Sequence, residues 1–230
     1  MAKKNIAIIA GTVTEVLSQK PYIFKMKIKK NEKKDVFPIV QLSDAAAEKT
    51  NLKSVAPGTP VVVTGKVTTE KKVEEYKCTD AKCGGKVVDQ YINTYILADS
   101  VYVYGKSHTN NYLNKIILLG TVCKDIEFRY IEGTTSMLGN TKYQLAVNRR
   151  EPNATDYPWV CSYARQAEED CRRIAKGSQI LVDGIINTRI NQKECTCEKC
   201  GKVYSINENL TEIVASSVEY LNNCKFEEKK

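Results

Sequence analysis

The sequence predicts an all-β protein with short helices, built from two similar domains in tandem. Its 230 residues are enough for two domains of ordinary size. Short runs in which apolar and polar residues alternate, the pattern of half-buried strands, occur throughout both halves. Matching segments also follow one another in the same order in each half, which indicates a duplicated domain.

The duplication is clearest in residues 176–189, which correspond to residues 57–70 of the first half. Both segments read as a turn followed by a long strand, with one glycine in the turn and a second glycine at a bend within the strand. Neighbouring segments correspond as well. The matched residues are Gly58 with Gly177, Gly65 with Gly184, Thr69 with Thr188, Phe37 with Tyr157, and Cys78 and Cys83 with Cys195 and Cys200.

Each half has the same order of elements. In the first half we expect strands at 6–13, 22–30, 36–42, 61–69 and 92–104, and a helix at 43–52 capped by Ser43 or Asp44. In the second half we expect strands at 115–122, continuing through 126–130, and at 142–148, 157–164, 176–189 and 210–221, with a helix at 165–176. The domains span residues 1–104 and 114–222, with a linker at 105–113 and a short charged tail at 223–230.

Five strands with one short helix between the third and the fourth is the element order of the oligonucleotide-binding (OB) fold. The sequence therefore predicts two tandem OB-fold five-stranded barrels.

The second half resembles the bacterial and phage single-stranded DNA-binding protein family. The segments that carry the resemblance are 114–120, 124–130, 143–148, 167–168, 176–184, 188–189 and 211–215, in the family's order and spacing. The first half resembles the family only faintly and is assigned by its match to the second. The resemblance implies that a single strand lies over strands two and three, with bases stacked on aromatic rings and phosphates near lysine and arginine.

The resemblance places Tyr157 and Tyr163 at stacking positions, and strand alternation puts Trp159 on the same face. By this alternation Tyr157, Trp159, Cys161 and Tyr163 point outward and Val160 points inward. Stacking on such rings holds any base, since every base has a π-face. Core filling or a subunit interface is the alternative explanation for three aromatic residues on one strand.

The phosphate contacts expected in the second half are basic residues near this face: Arg129, Lys142, Arg149, Arg150 and Arg189. The first half has Phe37 in the place of Tyr157 but Ser43 in the place of Tyr163. It also has a row of lysines on strand two, opposite an apolar row: Lys25, Lys27 and Lys29. That row suits either a groove that follows phosphates or a solvated outer face. We expect the second domain to supply more stacking and the first more salt-sensitive attraction.

Two cysteine-bearing loops between strands four and five match each other. Their cysteines are Cys78 and Cys83 in the first half, and Cys195, Cys197 and Cys200 in the second. Thiolates at such spacing hold tetrahedral zinc, but a closed site needs four ligands, and neither loop has them alone. The loops either share a zinc ion, or take a ligand from elsewhere, or carry free thiols of a decayed site. No cofactor is required by the sequence, and structural zinc stays one of these alternatives.

A formal net charge of +8 favours a polyanionic partner. The sequence has no apolar run near the ~18 residues of a membrane span and no secretory signal. We therefore expect a cytoplasmic protein, in the host cytoplasm if a virus or mobile element encodes it. The single histidine, His108, falls in the linker, and no phosphate-binding loop or nucleophile motif occurs, so we expect a binding protein and not an enzyme.

The first hypothesis is a sequence-independent single-stranded DNA-binding protein that protects strands during replication, repair, recombination or DNA transfer. The alternatives are an interaction scaffold built on tandem barrels and an RNA-binding protein. Family members usually end in an acidic peptide that recruits partners, whereas residues 225–230 read Lys-Phe-Glu-Glu-Lys-Lys, so we expect that hook to be absent or replaced. Two barrels per chain predict a homodimer with four barrels or a single-chain pseudo-dimer.

Overall fold

The computed structural model describes residues 4–31, 34–80, 82–105, 113–132, 137–149 and 154–225. Residues 106–112 of the predicted linker, which include His108, lie outside these ranges, as do Arg150 and the last five residues. Neither helix in the described ranges is long and apolar enough to cross a membrane.

The first barrel is closed by hydrogen bonding between consecutive and distant strands. Its elements are β1 (Asn5–Gln19), β2 (Tyr22–Asn31), β3 (Lys34–Val36), β4 (Ile39–Leu42), α1 (Asp44–Lys49), a 3-10 turn (Leu52–Ser54), β5 (Pro60–Lys77) and β6 (Lys86–Val103). Strand β1 pairs with β2 and β5, and β5 pairs with β6. Strand β6 returns in parallel to β4, which pairs with β2.

The second barrel repeats this closure. Its elements are β7 (Asn114–Val122), β8 (Glu127–Glu132), β9 (Met137–Asn148), β10 (Thr155–Asp156), β11 (Trp159–Tyr163), α2 (Ala164–Arg173), β12 (Gln179–Thr196) and β13 (Val203–Asn222). Strand β7 pairs with β9 and β12, β12 pairs with β13, and β11 joins β9 to β13. Both closures confirm the predicted OB fold.

Three expectations about single elements need correction. The third strand of each barrel is split at a proline, Pro38 or Pro158, because proline cannot donate to a strand ladder. The first strand of the second domain does not continue through residues 126–130, which form the separate strand β8 on the edge of β9. The fourth and fifth strands are much longer than expected and project as hairpins.

The alternating residues of the second strands point as predicted. Phe24, Met26 and Ile28 are fully buried in the first barrel, and Tyr143 and Leu145 are fully buried in the second. Helix α1 begins at Ser43, whose Oγ accepts the backbone N–H of Ala46 at 3.2 Å. Since Ser43 corresponds to Tyr163, the first barrel has a helix cap where the second has a ring.

The two barrels form one continuous sheet because β1 and β7 pair in antiparallel fashion, with Ile6 opposite Ile117. Duplicated asparagines beside this seam tie β1 to β5 within the first barrel and β7 to β12 within the second. The side chain of Asn5 exchanges two 2.8 Å hydrogen bonds with the backbone of Val67, and the side chain of Asn114 exchanges two 2.9 Å bonds with that of Ile186.

Candidate nucleic-acid interface

The candidate interface of the second barrel is the outer face of β9 and β11, which run side by side. Trp159 pairs with Gln144, and Tyr163 pairs with Asn140, so alternate residues of the two strands share this face. Val160 lies between them in sequence and is fully buried on the opposite face. The alternation predicted for this strand therefore holds at Trp159, Val160 and Tyr163.

The three aromatic residues expected to stack on bases follow one another from β10 to the start of α2. Tyr157 and Tyr163 are 43% and 38% exposed, and Trp159 is half-buried. The backbone around Tyr157 is fixed on both sides: its N–H donates to Thr69 Oγ1 at 2.7 Å, and its carbonyl accepts from Gln144 Nε2 at 3.1 Å. These two bonds fix the position of the backbone that carries the Tyr157 ring.

Two lysines lie over the Trp159 ring. The distance from Nζ to the ring centroid is 4.5 Å for Lys142 and 5.0 Å for Lys124, both within cation–π range. Lys142 was an expected phosphate contact, whereas Lys124 was not. Lys124 lies in the turn between β7 and β8, and only its position in the family-like segment 124–130 could have pointed to it.

The outward position expected for Cys161 is wrong, because this side chain is only 4% exposed. Its Sγ donates to Glu212 Oε2 at 3.5 Å, and Glu212 is itself 1% exposed. Burial and then the nearby Glu212 carboxylate raise the pKa of Cys161 to about 12, so the thiol stays neutral. Sequence alternation could not show this, since Glu212 reaches the face from the distant strand β13.

Glu212 is a buried carboxylate that sequence reasoning missed. It accepts hydrogen bonds from Asn187 Nδ2 at 3.2 Å and from Arg189 Nε at 3.4 Å. Lys30 of the first barrel extends the network by donating to Asn187 Oδ1 at 2.8 Å. A buried charge needs such partners, and this one fixes the direction of Arg189. Burial raises the pKa of Tyr163, and the positive charge of Arg189 partly offsets this rise.

The other predicted arginines divide into different roles. Arg129 is exposed on β8, paired with Asn140 in the row that also contains Tyr163. Arg149 instead forms a bidentate ion pair with the fully buried Asp156, from Nε at 2.9 Å and from Nη2 at 2.7 Å. This pair holds the guanidinium in the structure, and a phosphate contact of Arg149 stays a prediction. Arg150 lies outside the described residues.

The lysine row of the first barrel lies on the outer side of β2. Lys25 Nζ is 5.9 Å from the centroid of the Phe37 ring, which is 40% exposed. Lys27 and Lys29 are exposed, and Lys27 Nζ lies 3.9 Å from a carboxylate oxygen of Asp35. The outer side of β2 thus combines the accessible ring of Phe37 with the cations of Lys25, Lys27 and Lys29.

Each long hairpin contacts the third strand of the other barrel. Thr188 Oγ1 accepts the N–H of Phe37 at 2.8 Å, and Thr69 Oγ1 accepts the N–H of Tyr157 at 2.7 Å. All four residues occupy duplicated positions, so the two contacts are related by an approximate twofold axis, as in a symmetric dimer. A cleft of about 610 Å³ borders the first contact, and its lining includes Lys25, Phe37 and Arg189.

The five predicted metal-binding cysteines are not equivalent. Four of them come together at the hairpin tips, with their Sγ atoms all within 4.8 Å of one another: Cys78, Cys83, Cys197 and Cys200. Cys195 is outside this group, and its Sγ donates to Asp89 Oδ1 at 3.8 Å. The N–H groups of Cys200 and Lys199 donate to Cys197 and lower the pKa of this thiol to about 7.

Two closed barrels joined through their first strands, with an aromatic and cationic outer face, define a tandem OB-fold protein. The solved single-stranded DNA-binding protein from Thermus aquaticus shares this fold. Its wild-type form aligns with a TM-score of 0.63 and 16% identity, over 100% of this chain and 98% of that one. A deletion mutant of the same protein aligns with a TM-score of 0.65 and 18% identity over 100% of both chains.

Sequence comparison gives the family. The profile described as "Single-strand binding protein family" matches residues 113–221. Single-stranded DNA-binding protein 3 of Clostridium acetobutylicum is 30% identical over 114 residues, 47% of this chain and 71% of that protein. The single-stranded DNA-binding protein of Onion yellows phytoplasma is 27% identical over 111 residues, 48% of this chain and 96% of that protein. The chain belongs to the single-strand binding protein family.

Proposed function

We propose that this protein binds single-stranded DNA without sequence preference and protects it during replication, repair, recombination or DNA transfer. The observation that carries the proposal is the line of Tyr157, Trp159 and Tyr163 on the outer face of β10 and β11, with Lys124 and Lys142 over the central ring. Family membership supports the same function, since the named relatives are single-stranded DNA-binding proteins.

The chemistry of this face suits unpaired bases. A base that has left a duplex exposes both π-faces, and stacking on an aromatic ring contributes roughly 1–3 kcal/mol per base. The ammonium groups of Lys124 and Lys142 belong to flexible side chains. They can move from the Trp159 ring to phosphates when a base takes their place over the ring. A duplex hides its base faces, so it gains only the phosphate contacts.

The test uses Trp159, the single tryptophan of the chain. Oligo(dT) should quench its fluorescence, more weakly at high than at low salt, and duplex DNA of equal length should not. Oligo(U), tested in parallel, distinguishes DNA from RNA preference. Binding of oligo(dT) without quenching would remove Trp159 from the interface. Absence of oligo(dT) binding at low salt would refute the proposed function and favour a protein scaffold.

A further inference from the structure

We propose that Cys78, Cys83, Cys197 and Cys200 bind one zinc ion that joins the tips of the two long hairpins. Two ligands come from the β5–β6 hairpin of the first barrel and two from the β12–β13 hairpin of the second. Neither loop alone provides the four thiolates that a closed zinc site requires, but the two hairpins together provide them.

The distances between the sulfur atoms fit a tetrahedral zinc site. Cys78 Sγ lies 3.7 Å from Cys200 Sγ, and Cys83 Sγ lies 3.7 Å from Cys197 Sγ. With Zn–S bonds of about 2.3 Å, the edge of a regular tetrahedron is about 3.8 Å. A disulfide would need a separation of about 2.05 Å. Both close pairs also cross from one hairpin to the other, so neither is a local turn contact.

The backbone of both tips is shaped around the sulfur atoms. A Cβ on Gly85 would lie 2.8 Å from Cys197 Sγ and 3.0 Å from Cys83 Sγ, so only glycine leaves room for the cluster. Gly201, directly after Cys200, has a φ of +72° and donates its N–H to the Cys197 carbonyl at 3.0 Å. The Cys-x-x-Cys-Gly turn therefore closes on itself and presents two thiols in one direction.

The surrounding side chains supply hydrogen bonds to the ligands. The Tyr204 hydroxyl lies 2.9 Å from Cys78 Sγ and accepts the backbone N–H of Thr79 at 3.0 Å. With Cys78 as a thiolate, the hydroxyl is the only group of this pair that can donate. Lys202 Nζ is 5.6 Å from the Tyr204 ring centroid and brings positive charge near the cluster. Such outer contacts orient thiolate ligands and offset their negative charge.

The tips need a cross-link, because they have very little apolar core of their own. The buried hydrophobic residues described there are three cysteines and one aliphatic side chain: Cys83, Cys195, Cys197 and Val87. Within the part of the hairpins that the structure describes, the backbone connection between the two tips is one isolated bridge, Val87 with Cys197, and a 3.3 Å bond from Glu198 N to Lys86 O. Zinc binding, which releases the thiol protons to solvent, would hold both hairpins over the cleft between the barrels.

The test is the metal content of the full-length chain after dialysis against metal-free buffer. We expect about one zinc ion per chain, and visible absorption typical of tetrahedral cobalt thiolates after exchange with Co²⁺. Cys200→Ser and Cys83→Ser should lose both signals. Cys195→Ser, on the same hairpin but outside the cluster, is the matched control and should keep them.

Three results would overturn the proposal. They are wild-type protein that takes up neither zinc nor cobalt, full zinc content in Cys200→Ser, or disulfides among the four cysteines in the intact non-reduced chain. Because Cys200 is exposed and remote from both barrel cores, loss of zinc in its variant can be separated from unfolding by circular dichroism. The result is independent of DNA binding, so the proposed function and the zinc site can fail separately.

Discussion

At the residue scale, the carboxylate of Asp170 on α2 is the most constrained group in the second barrel. It is fully buried and accepts bonds from Ser162 Oγ at 2.6 Å, Tyr220 OH at 2.7 Å, Gln166 Nε2 at 2.9 Å and Tyr143 OH at 3.5 Å. Burial raises the pKa of Asp170, and these donors oppose the rise. Burial and then Asp170 raise the pKa of both Tyr143 and Tyr220.

These tyrosines predict a loss of stability in alkali. The unfolded chain loses their protons near pH 10, whereas the folded chain keeps them to higher pH. Their contribution is therefore fully present below the unfolded pKa and is lost as pH rises through and above about pH 10. Asp170 acts in the same sense at acid pH: because burial raises its pKa, its contribution to stability grows as pH falls through the folded pKa and is smaller at higher pH.

Tyr220→Phe tests this contribution. The variant should be less stable by about 1–2 kcal/mol at pH 8, because the bond to Asp170 is lost. It should also lose less stability than wild type between about pH 8 and about pH 11, as measured by urea unfolding. Tyr102→Phe changes a tyrosine that is 62% exposed and is the matched control. An unchanged alkaline slope in Tyr220→Phe would contradict the argument.

Sequence patterns predicted side-chain direction well and side-chain partners poorly. Strand alternation correctly turned Val160 inward and Trp159 outward. Strand alternation could not show that Glu212 covers Cys161, or that Asp156 forms an ion pair with Arg149. These contacts join separate segments of the chain, and only the folded chain brings the segments together. The use of Tyr157, Trp159 and Tyr163 in binding stays a prediction.

At the element scale, the fourth strand of each barrel turns at a glycine. The bend predicted at Gly184 is confirmed by a register shift between Asp183 and Gly184, and the first barrel has the same shift between Thr64 and Gly65. At both positions the neighbouring strand comes very close. A Cβ on Gly184 would lie 2.4 Å from Val214 O, and a Cβ on Gly65 would lie 2.2 Å from Leu97 O.

Gly184→Ala should therefore destabilise the second barrel. The added methyl group meets backbone and not a flexible side chain, so the β12–β13 pairing must shift at a cost of about 2–3 kcal/mol. Gly105→Ala is the control, because a Cβ there would meet nothing within 4 Å, and its effect should stay within about 0.5 kcal/mol. Equal urea midpoints for the two variants would show that the bulge tolerates a side chain.

The ends of these strands were harder to predict than the bend. The apolar pattern of the fourth strand stops near Thr69, but β5 continues to Lys77 as a ribbon paired with β6. A ribbon outside the barrel has no core to face, so its polar sequence resembles a loop. The cysteines of the two hairpin tips are close in space but far apart in sequence. The cysteine spacing within one tip therefore does not predict that the two tips contact each other.

At the scale of the whole molecule, one chain contains the interface of a symmetric dimer. The β1–β7 seam lies on an approximate twofold axis. About this axis the contact of Asn5 matches that of Asn114, and the crossed contact of Thr69 matches that of Thr188. The chemistry of the two outer faces has nevertheless diverged. The second barrel has three aromatic residues on its third strand, whereas the first has Phe37 beside a lysine row.

This divergence predicts that two sets of substitutions weaken DNA binding in different ways. Trp159→Ala or Tyr163→Ala should cost about 1–3 kcal/mol of oligo(dT) affinity, with little change in salt dependence, because stacking is lost. Replacing Lys25, Lys27 and Lys29 by glutamine should reduce the slope of log affinity against log salt by about 2, because up to three phosphate contacts disappear. Tyr130→Ala, on an exposed ring of β8, is the control. Equal changes of slope in both sets would mean that the two barrels contribute alike.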